Sequence, residues 1–167
     1  TKALTGESKI RGNWGEVQLE RLLEQSGLVR GREYDVQTSY KSADGQRWQP
    51  DVVVHLPDNR DVIIDSKVSL VAYEKYHASD NEAECRELAR QHLASVRRHI
   101  ADLASKSYDE LPEITSLDLV IMFIPIEPAL LLANEQEPFL QEEALKSGIM
   151  LVTSSSLHRA LRINANL

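Results

Sequence analysis

The stretch PDVVVHLPDNRDVIIDSKV, residues 50–68, decides how the rest of the chain is read. Its two arms, 51–56 and 61–68, are rich in β-branched residues, and Pro57-Asp58-Asn59-Arg60 between them has turn composition. The economical reading is a β-hairpin. If Leu56 pairs with Arg60 around the loop, Asp51 lies opposite Asp65, and the period-two alternation of a strand turns Lys67 to the face of Asp65. A loop one residue shorter would put Asp51 on the other face, so this register is an assumption.

Two carboxylates facing each other repel unless a cation sits between them, which suggests a metal. Oxygen-only ligands favour Mg²⁺, Mn²⁺ or Ca²⁺ over zinc, and Mg²⁺ usually takes one or two protein carboxylates and leaves its other positions to water and phosphate. A water so bound is acidified. A lysine beside it can steady the hydroxide or the charge growing on a phosphate, the usual logic of metal-assisted phosphodiester cleavage. The competing reading is a surface hairpin in which the same charges form only solvated ion pairs.

With 167 residues, 42% of them hydrophobic, the chain is expected to fold as one domain with its own core. It has no uninterrupted apolar span for a membrane helix and no secretory leader, and the single Cys85 excludes an internal disulfide framework, so a cytoplasmic, reducing setting is expected. Because it starts at Thr1 and stops at Leu167 inside an apparent helix, it is read as a fragment of something longer. The net charge of −7 argues against a generally basic nucleic-acid surface, although acidic nucleases confine Lys and Arg to a local groove.

Residues 13–26 read as a helix with Trp14, Val17, Leu19, Leu22 and Leu23 on its apolar side and Gly27 as its stop. Glu16 falls on the margin of that side, either solvated or aimed at the hairpin. Residues 34–40 alternate like a strand, and Asp44-Gly45 turns the chain back toward Pro50, giving an antiparallel three-strand meander. Gln37 points into the site or lies on the surface. A short helix at 71–77 precedes a long one, started by Asp80 or Asn81 and running to about Ser105. Its apolar side is Leu88, Ala89, Leu93, Val96, Ile100 and Leu103, with His92, His99 and Lys106 along one margin as core-edge residues or the wall of a substrate groove. Lys106 and Tyr108 are placed to reach a phosphate or each other. Residues 117–124 read as a strand buried on both faces, 128–134 and 138–147 as helices, 149–152 as another buried strand, and the segment after Ser156 as a last helix. Strands alternating with helices after an early meander indicate an α/β domain with a mixed sheet. Cys/His metal clusters, phosphate loops and nucleophile elbows are absent from the sequence.

Pro50-Asp51 with Asp65-Ser66-Lys67 resembles the PD-(D/E)xK nuclease signature. More of the chain is similar to the conserved domain of the RmuC family of bacterial DNA recombination proteins. The matching pieces are Arg11-Gly12-Asn13-Trp14-Gly15-Glu16, Gln49-Pro50-Asp51 with Ile64-Asp65-Ser66-Lys67, Lys106-Ser107-Tyr108, and Phe123-Ile124-Pro125-Ile126-Glu127. The resemblance implies a restriction-endonuclease-like fold, a central mixed sheet flanked by helices, and a role in DNA recombination or rearrangement. It implies Glu16, Asp51 and Asp65 as metal-site acids, the Ser66 carbonyl as a further ligand, and Lys67 as the catalytic lysine. Arg11, Gln37, His99, Lys106 and Tyr108 are the candidate substrate contacts. It also implies an N-terminal inner-membrane anchor and coiled coil outside this chain, segments through which homo-oligomers would form. From Thr153-Ser154-Ser155-Ser156 onward the chain departs from the family pattern, and no role is carried over there.

The leading expectation is a Mg²⁺- or Mn²⁺-dependent DNA nuclease with no small-molecule cofactor and no membrane contact from this domain. The alternative is a catalytically inactive DNA-binding or scaffold domain, and a protein-interaction module stands third.

Overall fold

The computed structural model describes residues 2–37, 40, 41, 45, 47–66, 68–106 and 119–165, and within these the side chains of 2–13, 40, 41, 47, 48 and 162–165 are outside the description. Lys67, Tyr108, Asp44 and the first residues of the 117–124 run lie outside the described residues.

The hairpin is present in the expected register. β4 (Val52–Leu56) pairs antiparallel with β5 (Arg60–Asp65), from Leu56 opposite Arg60 to Val52 opposite Ile64. The loop closes because Asp58 and Asn59 both adopt positive φ, 68° and 55°, a conformation that short polar Asx side chains tolerate better than most. β1 (Tyr34–Val36) pairs antiparallel with the other edge of β4, completing the meander. The 34–40 segment is not one strand, however. Gln37 adopts a positive φ of 51°, which bends the chain out of the sheet, and Tyr40–Lys41 (β2) pairs instead with Arg47–Trp48 (β3) in a separate two-stranded ribbon.

Beyond β5 the connections become parallel. The chain crosses through α2 (Val71–Ala78) and α3 (Glu82–Ser105) before returning as β6 (Val120–Phe123) beside β5. Asn81 caps α3, its side-chain oxygen accepting from the Glu84 amide at 2.9 Å, and Glu82 and Glu84 complement the dipole in the first turn. α4 (Glu127–Gln136) and α5 (Leu140–Lys146) then lead to β7 (Ile149–Val152), parallel to β6, and α6 (Ser154–Ala165) follows. The result is a five-stranded mixed sheet in the order β1-β4-β5-β6-β7, flanked by six helices among the described residues. β7 is an edge strand, so Met150 is exposed although Ile149 and Leu151 are buried.

Alternation distributes the strand side chains between two cores. Val53, Ile63, Val120 and Met122 face α3, α4 and α5, where Val96, Ile100 and Leu103 of α3 meet them. Tyr34, Val52, Val54, Ile64 and Phe123 face α1 (Lys2–Gln25) and α6, against Leu19, Leu23 and Leu157. α1 starts well before residue 13, and its buried stripe is Gly15, Leu19, Leu22 and Leu23. Trp14 and Val17, read from the sequence as part of the apolar side, are exposed because they fall off that stripe.

Candidate functional site

At the rim where β5, β6 and β7 all end, the polar residues of the hairpin gather. Parallel α/β sheets commonly bind ligands outside these carboxyl ends. Asp65 ends β5, and Asp51 stands one residue before β4 begins, so the antiparallel pairing delivers both acids to the same end of adjacent strands. Both are almost wholly buried, at 2% and 1% exposure for Asp51 and Asp65.

Asp51 is held by its neighbour across the hairpin. One carboxylate oxygen, Oδ2, accepts from the Ser66 backbone amide at 2.8 Å and from the Ser66 hydroxyl at 3.1 Å. Ser66 thus offers Asp51 its N–H and O–H, a role the sequence reading did not assign. Its carbonyl, the proposed ligand, faces α1: a side chain built at Gly15 would stand 3.6 Å from that oxygen and 3.7 Å from Pro125 Cγ. At Gly15, α1 therefore passes the end of β5 with room for a methyl group but not for a longer side chain.

Glu16, the next residue, is half-buried, and its Oε2 accepts from the Gln37 side-chain amide at 2.9 Å. The left-handed turn at Gln37 has a structural consequence. It leaves the Gln37 amide donating to the Asp51 carbonyl at 2.8 Å and its carbonyl accepting from the Gln49 side chain at 2.7 Å. Glu16, Gln37 and Asp51 together line a cleft of about 250 Å³ between α1 and the sheet edge. Nothing in the sequence marked Gln49.

Asp65 is approached from the opposite layer. His99, on α3, donates through Nε2 to Asp65 Oδ1 at 3.0 Å, with the imidazole 15% exposed. The carboxylate can only accept, so Nε2 carries the proton. His99 therefore meets the acid itself. Lys106 follows α3 as its exposed C-cap residue, with no contact to these acids among the described residues. Arg11 lies within α1 but its side chain is outside the description, and Lys67 and Tyr108 are outside it altogether.

A second polar group sits on the same rim under β6 and β7. Glu127, at the start of α4, accepts from the Thr153 hydroxyl at 3.3 Å and from the Ser155 hydroxyl at 3.2 Å, while Thr153 N–H donates to Ser156 Oγ at 3.0 Å at the start of α6. The hydroxyl-rich run after β7 was the available signal for this network.

Two other histidines, His92 and His55, do other work. His92, on the same stripe as His99, is fully buried and donates from Nε2 to the Ala129 carbonyl at 2.7 Å; burial lowers its pKa from the usual value, only partly countered by that bond. His55 stands at the far end of the hairpin, its Nδ1 2.7 Å from Asp61 Oδ1 and its Nε2 2.8 Å from Asp35 Oδ2. Only a protonated ring can donate to both acids. Burial alone would lower the His55 pKa, but the two carboxylates outweigh it and the net shift is upward.

The hairpin itself contributes only oxygen donors, a hard set that fits Mg²⁺ or Mn²⁺, and the one imidazole nearby, His99, is turned to Asp65 as a hydrogen-bond donor. Among the described residues no group of three or more His, Cys, Asp or Glu side chains is close enough to hold an ion, so the fit is to an ion carried by one or two carboxylates.

The fold and site together define a mixed α/β domain with a buried acid pair at the carboxyl-end rim of its sheet. The chain belongs to the RmuC family, whose family model matches residues 1–167. It is 52% identical over 167 residues to the protein named DNA recombination protein RmuC homolog of Yersinia pestis, covering 100% of this chain and 35% of that protein. It is 50% identical over the same 167 residues to DNA recombination protein RmuC of Escherichia coli strain K12, again 35% of its length, and 44% identical over 163 residues to the Pseudomonas aeruginosa homolog, covering 98% of this chain and 36% of the relative. The chain thus spans little more than a third of the curated relatives it matches. No solved structure matches it. Among the described residues no helix is long and apolar enough to cross a membrane.

Proposed function

We propose that this domain is a divalent-metal-dependent DNA nuclease acting in recombination, with a restriction-endonuclease-like arrangement of its sheet. The observation that carries the reading is the burial of Asp51 and Asp65 at the same end of two adjacent strands. Burying carboxylates is costly, and a fold that does so at the binding rim of a sheet is consistent with acids kept for a cation. The names of the relatives, DNA recombination proteins, support DNA as the substrate.

Asp51 and Asp65, with the Ser66 carbonyl, would hold Mg²⁺ or Mn²⁺ as a two-carboxylate site, and Glu16, outside that pair, would hold a second ion. The ion, when bound, supplies Lewis-acid polarisation of the phosphate and an acidified water. Ser66 orients Asp51 through two hydrogen bonds, and Gln37 orients Glu16 through one. Lys67 is assigned the role of neutralising charge that develops on the phosphate, by its place in the Asp-x-Lys pattern.

The test is cleavage of plasmid and oligonucleotide DNA by the full-length protein with Mg²⁺, Mn²⁺ or a chelator. Asp65→Asn and Lys67→Ala should each lower the rate about 100-fold or more while leaving the thermal midpoint in place. Equal cleavage by wild type and both variants sinks the assignment.

A second reading is a DNA-binding scaffold without chemistry. It is favoured by the internal hydrogen bonds already made to the two acids, from Ser66 and His99, which also suit a structural network. DNA binding that persists in chelator, with no product under any divalent ion, selects it.

A further inference from the structure

We propose that the groove between α2 and α3 binds the phosphodiester backbone of a DNA strand and leads it to the acid pair, with Arg98 as its principal cation. This rests on the nuclease reading for its destination, though not for its binding.

The groove encloses about 280 Å³ and lies between one stripe of each helix: Val71, Ala72 and Lys75 of α2, and Gln91, Ala94, Ser95 and Arg98 of α3. Its floor is made of small side chains, so a strand can lie close to both helix backbones. Ser69, Ser95 and Gln91 supply neutral hydrogen-bonding groups along it, and Lys75 and Arg98 supply charge. Such a lining of cations, hydroxyls and amides is that of phosphate contact, which positions a strand without reading its sequence.

Charge accounting favours the groove. The chain carries −7, and two arginines of α3 are committed to acids, Arg90 to Glu87 at 3.2 Å and Arg97 to Glu137 at 3.2 Å and Glu143 at 3.4 Å, while Arg86, without an ion pair among the described residues, stands nearer the start of the helix and outside the groove lining. Lys75 and Arg98 are both exposed and make no ion pair among the described residues. Two uncommitted cations therefore face one cleft on an otherwise acidic molecule.

The direction of the groove follows from the helix. Arg98 precedes His99, the residue bonded to Asp65, so at about 100° per residue one side chain lines the groove while the next reaches the site. Ser69, which lines the groove, lies just beyond Asp65 and Ser66 in the chain. The outer end is different. Lys75 also borders a second concavity containing Asp80 and Glu84, whose charges oppose a phosphate there. Gln91 to Arg98 spans about 10 Å of helix, the rise of roughly three nucleotides of one strand. The anion is thus drawn to the Arg98 end, nearest the acids.

The experiment measures binding of a fluorescent single-stranded oligonucleotide to the full-length protein across a salt series in Ca²⁺ or chelator, and cleavage kinetics in Mg²⁺. Arg98→Ala should lower the slope of log affinity against log salt by about 0.7, and Arg98→Ala with Lys75→Ala by up to about 1.4, the loss for one and two phosphate contacts. KM should rise with kcat held within about twofold. The charge-matched pair Arg90→Ala with Lys146→Ala, on the α4–α5 side, should leave the slope unchanged, and Asp65→Asn should bind with the full slope while failing to cleave. An unaltered slope for Arg98→Ala, or an equal drop in the control pair, overturns the groove, as does a wild-type protein that does not bind DNA. If wild type binds with the predicted Arg98 dependence and no metal yields product, the nuclease reading fails and the groove stands.

Discussion

Replacing Ser66 with Ala removes one of the two donors to Asp51 Oδ2 while changing almost nothing in volume. The hydroxyl lies 3.1 Å from a carboxylate oxygen, and both residues are all but fully buried, so water cannot replace the lost donor. A hydrogen bond to a charged group contributes about 1.5–3 kcal/mol, and the backbone amide at 2.8 Å remains to hold the carboxylate. The expected loss is therefore about 2 kcal/mol, which at a urea m-value of roughly 2 kcal/mol/M lowers the midpoint by about 1 M. A double-mutant cycle isolates the contact. Ser66→Ala and Asp51→Asn, alone and combined, should show a coupling energy of at least about 0.5 kcal/mol, since residues sharing a buried bond are not additive. Additive effects, or a midpoint shift below about 0.2 M for Ser66→Ala, would refute the claim that Ser66 holds Asp51 in place.

His55 and His92 should give stability opposite pH dependences. His55 has a raised pKa in the fold, so its contribution is complete below about 6.5 and lost as pH rises through the raised value; His55→Gln should remove that alkaline decline in urea midpoints measured from pH 5.5 to 8.5. His92 has a lowered pKa, so its neutral form is stable above about 6.5 and stability is lost as pH falls toward the lowered value; NMR titration should find its ring still neutral where a free histidine is half-charged. Gly15→Ala should be tolerated, because the new methyl meets only ordinary contacts at 3.6 and 3.7 Å and helix propensity gains up to about 1 kcal/mol, whereas Gly15→Leu should push α1 away from Ser66 and lower stability by about 1–3 kcal/mol, both read from thermal midpoints.

Much of the hairpin was legible because its information is local. β-branched arms, an Asx-rich loop and a period of two were enough to place Asp51 and Asp65 at one end. The Asn81 cap and the Gly148 stop were legible for the same reason: capping oxygens and positive φ act on neighbours only a few residues away. The 34–40 strand failed where a local rule was overridden, since the Gln37 turn is held by bonds to Asp51, Gln49 and Glu16, none of them near it in sequence.

By itself, then, the sequence determined most of the element types, the hairpin and the acids that end it, and through its motifs the family, while the register it allowed was selected by the fold. Tertiary structure alone decided what each acid touches: Ser66 rather than a solvent ion pair on Asp51, an α3 histidine on Asp65, a strand-edge glutamine on Glu16, and a cleft between α2 and α3 that leaves two cations uncommitted. Backbone preferences depend on neighbours along the chain and can be read from it. Side-chain partners depend on how separate layers pack, and the packing of α1 and α3 on opposite faces of one sheet is set by the whole core at once.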